Sequence, residues 1–183
     1  MKNTNYRRLI MVAVFALGAV LVFRSSLFAS YVVDGESMEP TLYDGNLMMV
    51  NKVIYDVTDI ERFDVIVFHA NPEEDYVKRV IGLPGDQIEY KDDKLYVNGN
   101  YIEEEFLEPY AKQSEAEPFT EDFTLEEVTG ENRVPEGKLF VLGDNRQDSL
   151  DSRSFGFVPQ DALVGKVGVK YWPLTQADLT LGK

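Results

Sequence analysis

Three stretches of the sequence bring together residue types that could do covalent chemistry. The first is "DGESMEP", residues 34–40, with Ser37 between Gly35 and Pro40. A serine hydroxyl is a weak nucleophile until a neighbouring base takes its proton. The chain has one histidine, His69, and no cysteine. A Ser-His-Asp triad would therefore depend on His69. That residue ends an apolar run in "VFHANPEED" and leads into a polar, proline-containing loop, where it reads as a surface residue. The same counts exclude disulfides, thiolate metal sites and multi-histidine metal sites.

A lysine is the other available base. Lys78 lies in "DYVKRVIGLPGD", among Val77, Val80 and Ile81. Strand alternation puts Tyr76, Lys78 and Val80 on one face. A lysine turned into an apolar interior loses the hydration of its charged form, so its pKa falls. The neutral amine is then a competent general base. A solvated strand lysine beside Arg79 fits the same residues equally well, and the local sequence does not choose between the two.

The third stretch, "GDNRQDSLDSRSFG", packs Asp144, Arg146, Asp148, Ser149, Asp151, Ser152 and Arg153 into a loop after an apolar strand. Acids at 144, 148 and 151 do not match the ligand spacing of a calcium loop. A structural polar network fits this loop better.

Positioning these three stretches falls to a body with β texture. From Tyr31 onward, short runs rich in Val, Ile and Phe ("NLMMVNKV", "RFDVIVFHA", "KLFVLGDN", "ALVGKVGVKYWPL") alternate with Asp, Gly and Asn breaks. "QIEYKDDKLYVNGNYIEE" predicts three strands joined by tight turns at Asp92-Asp93 and Asn98-Gly99. Helical periodicity is weak, so the expectation is a mainly antiparallel β domain. Residues 101–131 carry eleven acids against one lysine, Lys112, and read as a solvated insertion between core strands.

Ahead of the body, "LIMVAVFALGAVLVF" (residues 9–23) is uncharged and follows Lys2, Arg7 and Arg8. As a helix it covers roughly 22 Å, short of a ~30 Å hydrocarbon core, and spans it when the residues after Arg24 are included. A cleaved signal peptide competes with an uncleaved anchor. Leu27 spoils the small-x-small pattern near Ala29, which favours the anchor. Basic residues before the span keep the N-terminus cytoplasmic. The expected organisation is a cytoplasmic N-terminus at 1–8, a transmembrane helix at 9–30 and an extracytoplasmic domain at 31–183, with a β-rich insertion at about 87–134. Trp172 could rest at the membrane interface or in the core.

The net charge is −14, and residues 1–30 hold four bases and no acid. The rest carries 14 bases against 32 acids, a net −18. A body this acidic is a poor nucleic-acid binder, which needs basic patches over phosphate.

Taken together, "GESMEPTL", "DVIVF", "YVKRVIGLPGD" and "GDNRQDSLDSRSFG", in this order behind an N-terminal anchor, closely resemble the sequence boxes of type I signal peptidases. The short single anchor and small size are similar to the Gram-positive form. The resemblance implies a serine endopeptidase with a Ser-Lys dyad, Ser37 the nucleophile and Lys78 the general base, and no metal or organic cofactor. It implies that the Ser149 hydroxyl holds the lysine amine, and that Asp151 and Arg153 brace the loop around it. Asp144, Asn145, Arg146 and Arg79 take supporting places. Some members place a serine two residues before the nucleophile as an oxyanion donor, whereas this chain has Gly35.

The resemblance also implies cleavage after small residues at the first and third positions before the cut. Val33, Met38, Leu42, Tyr76 and Val77 would line the first pocket, and Tyr31, Val67 and Met48 the third. Implied partners are exported preproteins with signal peptides, the lipid bilayer and the neighbourhood of the export translocon, with no nucleic acid. Two other readings compete. A self-cleaving Ser-Lys repressor would carry a DNA-binding domain and no anchor. A catalytically inactive homologue that binds signal peptides or export machinery would have no reason to keep Ser37, Lys78, Ser149 and Asp151 together.

Overall fold

The structure, a computed structural model, describes residues 27–107 and 118–173 with a few positions between 8 and 15. The expected anchor falls largely outside the described residues. Among those described, no helix is long and apolar enough to cross a membrane. Phe28–Ser30, at the end of the expected anchor, belong to a strand.

Among the described residues, eleven strands form two antiparallel sheets. They are β1 (Phe28–Val32), β2 (Leu47–Asn51), β3 (Val65–His69), β4 (Asp75–Gly82), β5 (Ile88–Lys91), β6 (Lys94–Val97), β7 (Asn100–Ile102), β8 (Phe123–Thr124), β9 (Lys138–Leu142), β10 (Val158–Pro159) and β11 (Leu163–Trp172). The larger sheet has the order β1-β2-β11-β3-β4-β9-β10, and the smaller one β7-β6-β5-β8. The short helices α1 (Leu125–Thr129) and α2 (Ser152–Phe155) flank them.

Why β3 is central follows from its composition. Four consecutive residues, Val65–Phe68, are buried. Alternation sends Val65 and Val67 into one apolar cluster, with Val33, Met38, Leu42, Met48, Val50 and Val167. It sends Ile66 and Phe68 into another, with Val80, Leu139, Val141 and Val158. A strand covered on both faces reads as a continuous apolar run. The larger sheet curls, so that β1 approaches β4 although three strands separate them: the Tyr31 hydroxyl donates to Asp75 at 3.0 Å.

Sequence and structure agree closely in the smaller sheet. β5 alternates buried and exposed residues, as a half-buried strand should. Both tight turns fall where expected, with positive φ at Asp92 and Asp93 and at Asn98 and Gly99. That is the backbone of the primed hairpin turns.

The reading of 101–131 as simply solvated needs correction. Leu107, Phe123 and Leu125 are buried, and Glu104 pairs with a buried arginine. Acidic composition obscured these contacts because most of the acids do face solvent, while Phe123 and Leu125 join the apolar cluster of Tyr90 and Phe140. Residues 108–117 lie outside the described residues. Trp172 is exposed at the end of β11 rather than in the core.

Candidate active site

Ser37 sits in a turn after β1, and Lys78 sits on β4. The strand pairing delivers Lys78 opposite Ile66 of β3, leaving its other edge towards the turn. Lys78 Nζ stands 2.7 Å from Ser37 Oγ. The lysine is only 4% exposed. Burial pushes its pKa down to about 8, against a partial upward pull from Asp151 and Asp144. The buried alternative for Lys78 is thus the observed one. His69 is 64% exposed, and its Nδ1 contacts Asp75 rather than Ser37.

The loop after β9 fixes this pair in place from behind. The Asn145 N–H donates to the Ser37 carbonyl at 3.1 Å, and its side-chain amide donates to the Glu36 carbonyl at 3.2 Å. Arg79, next to the lysine, donates to both oxygens of Asp144, at 2.8 and 2.7 Å. Asp144 also accepts from the Thr41 hydroxyl at 2.5 Å. Asp151 is fully buried and caps α2. It accepts from Arg153 Nε and Nη2 at 2.9 and 2.8 Å and from the Gly143 N–H at 3.1 Å. Arg146 is buried too, and donates to Glu104 at 2.6 Å and to the Tyr90 hydroxyl at 3.0 Å. It thereby ties the loop to the smaller sheet.

Three expected site residues stand apart from the dyad contact and the cleft wall. The Ser149 hydroxyl oxygen is buried with no hydrogen-bond partner among the described residues, and Nζ is engaged with Ser37. Met38 and Leu42 are not among the residues that wall the cleft. Both are fully buried in the cluster beneath the cleft, where they support its floor.

The other six expected lining residues do meet. A cleft of about 240 Å³ opens beside Ser37 and Lys78, and its walls include Tyr31, Val33, Met48, Val67, Tyr76 and Val77. Sequence reasoning missed Thr41, Asp75, Glu104 and Leu150. Thr41 lies within the "GESMEPTL" box and could have been suspected. Asp75 and Glu104 carried no local signal, because only tertiary pairing gives them partners.

Gly35 has φ +93°, which disfavours any side chain. Its N–H donates to Asp44 at 3.0 Å. Among the described residues, no group of three or more His, Cys, Asp or Glu is arranged to hold a metal ion.

Comparison with known proteins gives the chain a family. Residues 6–172 match the family model "Signal peptidase, peptidase S26". A signal peptidase I of Bacillus caldolyticus is 58% identical over 161 residues, covering 88% of each chain. A signal peptidase IB of Staphylococcus aureus (strain COL) is 44% identical over 167 residues, covering 88% of this chain and 87% of that one. The crystal structure of a signal peptidase I from Enterococcus faecalis V583 superposes with a TM-score of 0.55 at 48% identity, covering 60% of this chain and 97% of the other. A serine and a buried lysine in contact, in a chain so similar to these hydrolases, lead to one assignment: the chain belongs to the signal peptidase I enzymes of the peptidase S26 family.

Proposed function

We propose that the protein is a membrane-anchored endopeptidase that removes N-terminal signal peptides from exported preproteins through a Ser37–Lys78 dyad. The observation that carries this reading is the 2.7 Å contact between Nζ and Oγ with the lysine buried. With its pKa lowered to about 8, an appreciable fraction of Lys78 is neutral near neutral pH and takes the Ser37 proton as Oγ attacks the scissile carbonyl. The Ser37 N–H stabilises the developing oxyanion. Gly35 brings no hydroxyl, and its own N–H is committed to Asp44, so it is not the second donor. Lys78 returns its proton to the leaving amine, and the acyl chain remains on Oγ. Water, deprotonated by Lys78, then hydrolyses the ester.

The substrate enters as an extended chain. Between Asp75 and Lys78, β4 pairs with β3 on one edge, and its pairing with β9 begins only at Arg79. Small side chains at the first and third positions before the cut turn inward over Val33, Val67, Val77 and Met48. The apolar segment at 9–23 anchors the enzyme in the bilayer with its N-terminus cytoplasmic. The catalytic domain is then outside, where preproteins emerge from the translocon.

The test is processing of a preprotein by the full chain in detergent. Ser37→Ala and Lys78→Ala each abolish cleavage, and EDTA leaves it unchanged. Near-normal activity in either variant overturns the dyad. Should both variants and the unaltered chain bind a signal peptide without cutting it, the inactive-homologue reading takes its place.

A further inference from the structure

Asp75 has no role in the dyad, yet it stands on the rim of the catalytic cleft. One of its oxygens accepts from the Tyr31 hydroxyl at 3.0 Å, and the other meets His69 Nδ1 at 2.5 Å. Both carboxylate oxygens are therefore engaged, which fixes the orientation of the group. Tyr31 belongs to β1 and Asp75 to β4, so their bond joins the two rims of the cleft. Tyr31 also packs, partly buried, against the apolar cluster beneath the cleft floor.

The position of the bridge follows from strand geometry. Asp75 lies three residues before Lys78 on β4, about 10 Å along a strand. An extended substrate beside β4 covers roughly 7 Å from its first to its third residue before the cut. The bridge thus stands just beyond the third side chain.

We propose that the Tyr31–Asp75 bond is the end wall of the third-position pocket, and that Asp75 is a positioning residue that sets substrate selectivity by holding the tyrosine ring in place. The proposal rests on the reading of this cleft as the substrate site. The ligand it discriminates is a polypeptide with a small aliphatic side chain at the third position. An aromatic or long side chain meets the fixed ring and is refused. His69, on the outer side of Asp75, steadies the carboxylate without touching the substrate.

The experiment compares two preprotein substrates, with Ala or Phe at the third position before the cut, processed by the full-length enzyme in detergent. The readout is the ratio of kcat/KM for Phe to that for Ala. Tyr31→Phe removes one oxygen and keeps the ring. Its ratio is expected to rise roughly fivefold, the scale of one net hydrogen bond. Asp75→Ala gives the same rise, and the double variant gives no more than either single one, because both break one bond. An unchanged ratio in Tyr31→Phe overturns the wall while leaving the dyad standing. Additive rises in the double variant overturn the coupling between the two residues. If the unaltered enzyme processes both substrates equally, the third pocket itself is misassigned and the proposal falls with it. Loss of all processing in Ser37→Ala, run alongside, reports on the dyad independently.

Discussion

Asp144 takes both arms of the Arg79 guanidinium, directly behind the Lys78–Ser37 contact. Arg79 and Asp144 are 1% and 0% exposed, and the second Asp144 oxygen also receives the Thr41 hydroxyl. Thr41 follows Ser37 by four residues, so a single carboxylate ties the nucleophile's turn to the strand that carries the base. The Arg79 guanidinium also lies 3.8 Å over the Phe106 ring, which closes it off from water.

The pair is thus a mutual dependence rather than a simple stabiliser. Asp144→Ala removes the two-oxygen acceptor from a buried guanidinium, and removing one partner of a buried pair costs about 3–5 kcal/mol. Asp144→Asn keeps an acceptor for one arm and is expected to cost less. Urea unfolding of the two variants measures the difference. Equal, small losses would show that Arg79 finds another counter-charge.

The pH dependence follows from Lys78. Its folded pKa is about 8 against an ordinary value of 10.5. Activity at limiting substrate rises as Lys78 loses its proton, through about pH 8, and persists into alkaline conditions. The stability consequence has a definite sign. Between about pH 8 and 10.5 the unfolded chain holds a proton that the folded chain has released, so stability increases with pH across that window. Below it, the fold carries the full cost of a buried ammonium, about 3 kcal/mol. Lys78→Met removes that cost, so it is expected to raise stability at pH 7 by about 1–3 kcal/mol while abolishing cleavage, and to lose the advantage above pH 10.5. Denaturant melts at pH 7 and pH 11 check both halves, and a variant less stable at pH 7 would contradict the lowered pKa.

Much of the architecture was legible because its signals were local. The Asn98-Gly99 turn, the alternation of β5 and the unbroken apolar run of β3 each carry their own reason. The dyad was only half legible. Lys78 could be seen to fit a buried strand, but its place opposite Ile66 and its reach to Ser37 come from strand pairing and a turn 41 residues away. Glu104 shows the limit more sharply. It lies in an acid-rich stretch with nothing to mark it, and its partner, Arg146, is 42 residues away. For Ser149 the resemblance implies a contact with the lysine amine, whereas its hydroxyl makes no hydrogen bond among the described residues; sequence spacing carries no information on which neighbour a hydroxyl meets.

Ser149 accordingly separates stability from activity. Its buried hydroxyl has no hydrogen-bond partner among the described residues, and an unsatisfied buried polar atom costs about 1–3 kcal/mol. Ser149→Ala is expected to hold or raise thermal stability. If its hydroxyl engages the Lys78 amine during the reaction, kcat falls at the same time. A clear loss of stability would mean that the hydroxyl is already bonded in the resting enzyme.

Gly143 offers a test of how closely the loop and the nucleophile's turn must fit. A Cβ at this position would overlap the Ser149 side chain and the Ser37 backbone carbonyl. The carbonyl cannot swing aside cheaply, because it accepts from the Asn145 N–H. Gly143→Ala must therefore push the turn away from the loop and lengthen the Lys78–Ser37 contact. Misplacing a reacting group by about 1 Å costs on the order of 100-fold in rate, and overpacking costs about 1–3 kcal/mol of stability. Gly168→Ala is the control, since its added methyl would meet only the Met49 carbonyl, at 3.9 Å. The expected result is a collapse of kcat for Gly143→Ala with Gly168→Ala near normal. If the two variants matched, the tight approach at Gly143 would have no bearing on catalysis.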